Sequence, residues 1–202
     1  SRGSPMSDAV RLIVGLGNPG DQYRHTRHNA GADFVAALAD AFGARLVAEK
    51  KFSGLTGRVT VAGEDVRLLV PTTFYNGSGE AAGPMLRFYR IPVSQMLVAQ
   101  DELDLPVGVA RLKQGGGHGG NNGLRDIIRV LGGDAGFGRL RLGVGHPGDK
   151  AKVTGYLLSR PPAADRTALE GAIEEGLRVL PELVRGDWQR ASTELHTRTR
   201  AD

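Results

Sequence analysis

The sequence predicts a single-domain α/β fold, with a central mixed, mostly parallel twisted sheet flanked by helices. Three observations predict it. Short apolar runs that read as buried strands alternate with segments of helical periodicity. Two of the strand segments flank a turn and read as a hairpin, which makes the sheet mixed rather than purely parallel. The length, 202 residues with no internal repeat, fits one core of ordinary size.

Residues 10–16 form an apolar run closed by Gly17-Asn18-Pro19-Gly20, a buried strand entering a turn. Residues 30–42 carry Phe34, Leu38 and Phe42 at four-residue spacing, an amphipathic helix that Gly43 stops. Residues 58–61 and 65–70 are the hairpin strands around Ala62-Gly63-Glu64. Residues 80–89 make a second helix with Ala81, Met85 and Phe88 inward, in which Pro84 implies a kink or a late start. Residues 95–99 are another buried strand, ending at Gln100-Asp101. Residues 122–131 form a short helix with Leu124, Ile127, Ile128 and Leu131 on its apolar face. Residues 139–144 alternate basic and apolar side chains, a strand with one wet face. After Pro161-Pro162 the pattern is helical over 168–184 and again around Trp188, and residues 196–202 are polar and read as a frayed end.

Residues 1–5 have no hydrophobic stretch and read as an expression-vector remnant, with Met6 as the native start and one domain over 6–202. No cysteine is present, which excludes disulfides, a thiolate nucleophile and cysteine-based metal sites and agrees with a reducing, cytoplasmic setting. No apolar run approaches the roughly 20 residues that span a bilayer, so no membrane partner is expected. The formal charge of +4 favours polyanionic partners, although an ordinary arginine-rich surface gives the same number.

Chemistry is expected in five loops, rich in glycine, asparagine or histidine, over residues 15–20, 26–31, 71–79, 100–104 and 115–123. Several follow a strand, and in open α/β sheets ligands bind at the carboxyl ends of strands. The first loop matches G-x-G-x-x-G, but about ten polar residues precede the next helix. A pyrophosphate needs that helix to begin at the loop, and no acidic strand end follows for a ribose, so a nucleotide cofactor is not expected. His25-x-x-His28 lacks the accompanying ligands of a metal site, and Ser78 lacks nucleophile-elbow spacing. Residues 115–120 suit either an amide nest for an anion or a flexible lid or tight turn.

What remains is His28 with Asp101. Histidine titrates near neutrality, and a carboxylate on one ring nitrogen fixes the tautomer and leaves the other to take a proton from water. Alone, His28 also fits a surface or capping residue, and Asn18, Asn76 and Asn122 each fit a turn or a helix cap as well as a water or carbonyl holder.

Five blocks now occur in order: residues 15–20, Thr26-Arg27-His28-Asn29-Ala30-Gly31, Pro71-Thr72-Thr73-Phe74, Asp101-Glu102-Leu103-Asp104 and residues 115–123. With Gly143-Val144-Gly145-His146-Pro147-Gly148 they make the chain resemble the bacterial peptidyl-tRNA hydrolase family over residues 11–196. The resemblance implies a monomeric, cofactor-free and metal-free hydrolase that cleaves the ester joining a peptide to the terminal ribose of tRNA. His28 would be the base, Asp101 its orienting partner, and Asn18 a discriminator of peptidyl from aminoacyl substrates. Asn76 and Asn122 would hold the peptide main chain, the water or the terminal adenosine region, and Tyr23 and Phe74 would contact the tRNA end or the peptide. Lys113 and Arg141 would hold the tRNA 5′ phosphate, within an expected rim of Arg111, Lys113, Arg139, Arg141, Lys150 and Lys152 for the acceptor stem; solvated surface charge is the plainer account of any one of them. Two residues depart from the pattern: Tyr75 stands where the family commonly has methionine, and Gly77 where a larger apolar residue is usual. Tyr75 is thereby expected to alter the preferred peptide side chain.

Overall fold

The computed structural model describes residues 8–200; residues 1–5, Met6 and residues 201–202 lie outside the described residues. Seven strands form one sheet: β1 (Leu12–Gly15), β2 (Val47–Glu49), β3 (Gly54–Val61), β4 (Glu64–Pro71), β5 (Met96–Glu102), β6 (Ala110–Gln114) and β7 (Gly138–Gly143). Their order across the sheet is β2-β3-β4-β1-β5-β7-β6. The central β4, β1, β5 and β7 run parallel, while β2 and β3 at one edge and β6 at the other pair antiparallel. The expected mixed sheet with a parallel centre is the one observed.

Among the described residues seven α-helices accompany it: α1 (Ala30–Ala41), α2 (Gly79–Tyr89), α3 (Asn122–Val130), α4 (Val153–Leu157), α5 (Ala163–Arg178), α6 (Leu180–Val184) and α7 (Trp188–Arg198). Strand side chains alternate between two cores, as the period of two requires. Leu12, Val14, Met96 and Val98 pack with Ala81, Met85, Leu124 and Ile127 of α2 and α3. Ile13, Leu97 and Ala99 point the other way, against Phe34, Leu38, Ile173 and Leu183 of α1, α5 and α6.

The hairpin is longer than its sequence signal, pairing from Gly54↔Pro71 to Val61↔Glu64. Its turn is Ala62-Gly63, at φ 51° and 80°, a two-residue reversal whose hand suits twisted strands, so Glu64 already belongs to β4.

Several expectations are corrected. Phe42 and Phe88 are 42% and 58% exposed instead of inward. Phe42 is the residue after the last turn of α1, and Phe88 packs edge-on against Phe52 with the Lys51 ammonium 3.8 Å from its ring. Helix α2 starts at Gly79 and carries Pro84 inside it, so its start is not late. Strand β5 runs on through Asp101 to Glu102 because β7 pairs with it that far. The helical pattern over 168–184 is two helices meeting at Val179, since Pro181 in the first turn of α6 has no N–H to continue α5. The sequence reading did not anticipate β2, β6 or α4.

Strand β7 has no uniformly wet face. Arg139 is 2% exposed, donating to the carbonyls of Gly116 (2.6 Å), Gly117 (3.0 Å) and Ala135 (3.0 Å). Burial pulls this guanidinium down to about 10, still cationic at neutral pH. The glycine loop is thus tied to the sheet through an arginine that alternation alone would assign to solvent.

Of the expected frayed end, residues 196–198 are helical and Thr199 is buried, while residues 201–202 lie outside the described residues. Helix α7 reaches Arg198 and covers the outer edge of β6: Thr199 Oγ1 accepts from Ala110 N (3.0 Å), and His196 Nε2 accepts from Leu112 N (3.0 Å). Burial first, then the charges of Arg111 and Arg141, push the His196 imidazole below its ordinary range. Among the described residues no helix is long and apolar enough to cross a membrane.

Candidate active site

Each of the five loops contributes to a single cleft of about 610 Å³ at the carboxyl ends of the central strands. Asn18, His28, Phe74, Asn76, Asp101 and Asn122 all line it. Between β1 and α1 the chain makes two short 3-10 turns, Asp21–Tyr23 and Arg27–Asn29, so the helix does not begin at the first glycine loop. Close approach explains those glycines instead. A Cβ on Gly31 would stand 2.0 Å from the Ala99 carbonyl oxygen, and one on Gly15 2.2 Å from that of Gly31. The start of α1 therefore rests directly on the ends of β1 and β5, which delivers His28 to Asp101.

His28 Nδ1 lies 2.8 Å from Asp101 Oδ2, with the two side chains 18% and 3% exposed. A carboxylate only accepts, so Nδ1 carries the proton and Nε2 keeps its lone pair for the cleft. The other carboxylate oxygen, Oδ1, accepts from the Tyr75 hydroxyl at 2.6 Å, and Asn121 Nδ2 donates to that hydroxyl at 2.8 Å. The Tyr75 ring stacks on His28 with centroids 3.6 Å apart and planes 11° apart. Burial, and then the Asp101 charge, push the Tyr75 hydroxyl well above the ordinary tyrosine range.

Asn18 Oδ1 accepts from Tyr75 N at 2.8 Å, which turns its amide nitrogen, a pure donor, toward the cleft. Asn29 holds Asn18 in turn, accepting from its backbone N and donating to its backbone O, both at 2.9 Å. Phe74 stands 63% exposed at the cleft, and Asn76 and Asn122 are exposed beside it. The facing wall is apolar, with Val153 and Leu157 of α4. Buried Arg27 fixes that wall to the histidine loop: its guanidinium lies 3.9 Å over the Tyr156 ring and donates to Ser159 Oγ at 2.6 Å.

Tyr23, Lys113 and Arg141 lie outside the cleft lining. Tyr23 ends the first 3-10 turn. Arg141 pairs with Glu102, itself in the lining, at 2.9 Å. Lys113 is exposed on β6, across from Arg139. Of the expected basic rim, Arg139 is buried, Arg111 donates to Ala110 O (2.8 Å), and Lys150 and Lys152 are exposed. His25 turns away from His28 toward Asp33 (3.2 Å). Among the described residues no three histidine, cysteine or carboxylate side chains gather as a metal group.

Sequence reasoning missed Arg27, Asn29 and Asn121, and it did not anticipate the stacking of the Tyr75 ring on His28. Arg27 and Asn29 sit in the matched block with His28; their partners, 129 and 11 residues away, have no local trace. Asn121 was legible as a helix cap, and it is one, accepting from Leu124 N at 3.0 Å.

A family model described as peptidyl-tRNA hydrolase matches residues 12–202. The chain is 59% identical over 189 residues to a peptidyl-tRNA hydrolase of Pseudomonas savastanoi pv. phaseolicola, covering 94% of this chain and 97% of that one. It is 56% identical over 190 residues to the peptidyl-tRNA hydrolase of Azotobacter vinelandii, covering 94% and 98%. The crystal structure of peptidyl-tRNA hydrolase from Acinetobacter baumannii superposes with a TM-score of 0.92 at 47% identity, over 98% of this chain and 100% of that one.

Proposed function

The chain belongs to the peptidyl-tRNA hydrolase family and acts on peptidyl-tRNA, and from that premise we propose that His28 is the general base of its ester hydrolysis. The observation that carries the proposal is the His28–Asp101 pair at 2.8 Å, set at a cleft with Nε2 unengaged. Water at Nε2 loses a proton to the ring as its oxygen attacks the ester carbonyl carbon. Asp101 stabilises the imidazolium that forms. The Asn18 amide is placed to donate to the oxyanion. Collapse breaks the bond to the ribose oxygen, which takes the proton back from His28. The products are a peptide with a free carboxyl group and a tRNA with a free terminal ribose hydroxyl, ready for reuse in translation.

General-base catalysis supplies roughly 10²–10⁴-fold, and oriented donors supply much of the rest. A ribose oxygen leaves far more easily than an amine, so the chemistry proceeds without a metal or cofactor. Phe74 offers an exposed ring for a base or peptide side chain, and Asn76 and Asn122 offer amides for the peptide main chain or the terminal adenosine. In this reading Tyr23 contacts the tRNA end or the peptide. Lys113 and Arg141, on neighbouring strands, receive the acceptor stem and its 5′ phosphate. The protein works as a cytoplasmic monomer in this reading.

The test is release of tRNA from an N-blocked aminoacyl-tRNA with EDTA present, comparing the parent with His28→Ala. A drop of roughly 10²-fold or more in the variant is expected. Equal release by both would show that the base lies elsewhere.

A further inference from the structure

The floor of the cleft holds a buried tyrosine that the reaction just described does not use. Tyr75 is 4% exposed and touches the catalytic pair twice, with its ring on His28 and its hydroxyl on Asp101 Oδ1. The seat is built to hold it. Asn121 donates to the hydroxyl oxygen, and Asn18 accepts from the backbone N–H. A Cβ on Gly123 would come within 2.8 Å of Tyr75 Cε1, so only glycine leaves room for the ring at the start of α3.

We infer that Tyr75 is a positioning residue that fixes the Asp101 carboxylate and sets how firmly His28 holds a proton during catalysis. The inference rests on the reading of His28 as the base. Asp101 has two oxygens and two donors, Tyr75 Oη–H on Oδ1 and His28 Nδ1–H on Oδ2. Each hydrogen bond to a carboxylate draws on the same negative charge, so the tyrosine competes with the imidazolium for it. The hydroxyl therefore keeps the base from being held too firmly in its protonated, idle form. The stacked ring acts in the opposite sense, because an aromatic face favours a cation above it. Asn121 tunes the first effect from one residue further out: by donating to Oη it sharpens the hydroxyl as a donor. With its own titration pushed well above the usual tyrosine range, Tyr75 stays a donor throughout the assay range.

Tyr75→Phe separates the two effects, keeping the ring and removing the hydroxyl. The measurements are kcat and KM against pH for tRNA release, with an NMR titration of the His28 ring in parent and variant. In Tyr75→Phe the acid limb of the profile moves to higher pH, and kcat near pH ~7 falls roughly threefold to tenfold with KM unchanged. The parent rate returns at pH ~9, which loss of packing alone would not allow. Asn121→Ala, which leaves the ring in place, moves the limb the same way by less.

An acid limb and His28 titration unchanged in a folded Tyr75→Phe would overturn the inference. So would a rate deficit equal at every pH. Should Tyr75→Phe fail to fold, Asn121→Ala decides on the same readout. Activity surviving in His28→Ala would sink the general-base reading instead, while the NMR titration would still report whether Tyr75 acts on the Asp101–His28 pair.

Discussion

The cleft floor and the β6–β7 edge both bring ionisable groups out of water, and they resolve the problem in opposite ways. On the floor, Asp101, His28, Tyr75 and Asn121 form one chain of hydrogen bonds in which each polar group answers its neighbour. At the edge, Lys113 and Arg139 stand opposite each other on paired strands and have separate fates. Arg139 is buried on three backbone carbonyls, and Lys113 faces solvent. The floor is cooperative, so losing one member should change the chemistry of the others. At the edge Lys113 and Arg139 share no hydrogen bond, so each loss should show its own signature.

The largest effect that separates them is expected from Asp101→Asn. An amide there presents N–H either to His28, which forces the wrong imidazole tautomer, or to Tyr75, which loses its acceptor, and in both cases the charge that stabilises the imidazolium is gone. The expected result is a fall of roughly 10²–10⁴-fold in kcat with little change in KM, read by single-turnover release. A modest loss confined to KM would mean that the floor is no more coupled than the edge.

Next come the two paired cations. Arg139→Ala leaves the carbonyls of Gly116, Gly117 and Ala135 without their donor and should cost about 2–4 kcal/mol of stability, seen in thermal or urea unfolding. Lys113→Ala should leave the unfolding midpoint in place and instead weaken tRNA binding, lowering the slope of log affinity against log salt by about one. Matching signatures from the two variants would erase the distinction between them.

The smallest effect is expected at His196, where the edge carries its own titration. Its folded-state value is lowered by burial and by Arg111 and Arg141, so near and below pH ~6.5 the unfolded chain binds more protons than the folded one. The stabilisation from accepting Leu112 N–H is then full above that pH and lost as pH falls through it toward the lowered value. His196→Gln, whose amide oxygen also accepts, should flatten that acid-side decline in unfolding temperature. An unchanged pH dependence would take His196 out of the account.

The same contrast explains what could be read from the chain. His28 and the three asparagines stood out because they sit in glycine-rich loops, and Asp101 because it is a carboxylate at the end of a buried apolar strand. The parallel centre was legible because its apolar runs are buried on both faces, as Met96, Leu97, Val98 and Ala99 are. The short edge strands β2 and β6 carry little apolar signal, and the polar pattern of β6 hid it. Alternation correctly placed Arg139 and Arg141 on the same side of β7, but only the glycine loop folded over that side decides which of them is wet. Phe42 and Phe88 kept the spacing of a buried face and lost the burial at the ends of their helices. Tyr75 was visible as a departure, yet its partners at 18, 28, 101 and 121 are joined only by the fold.

The closure of β6 by α7 bears on the order in which the chain is made. The N–H groups of Ala110 and Leu112 wait for acceptors 89 and 84 residues downstream, Thr199 and His196, and Trp188 reaches back across 180 residues to Asp8 O. During synthesis the sheet therefore has an open, pairing-competent edge until α7 has emerged and docked. A nascent chain released short of α7 would keep that edge bare, with the Ala110 and Leu112 N–H groups left without the acceptors that cover them in the folded molecule.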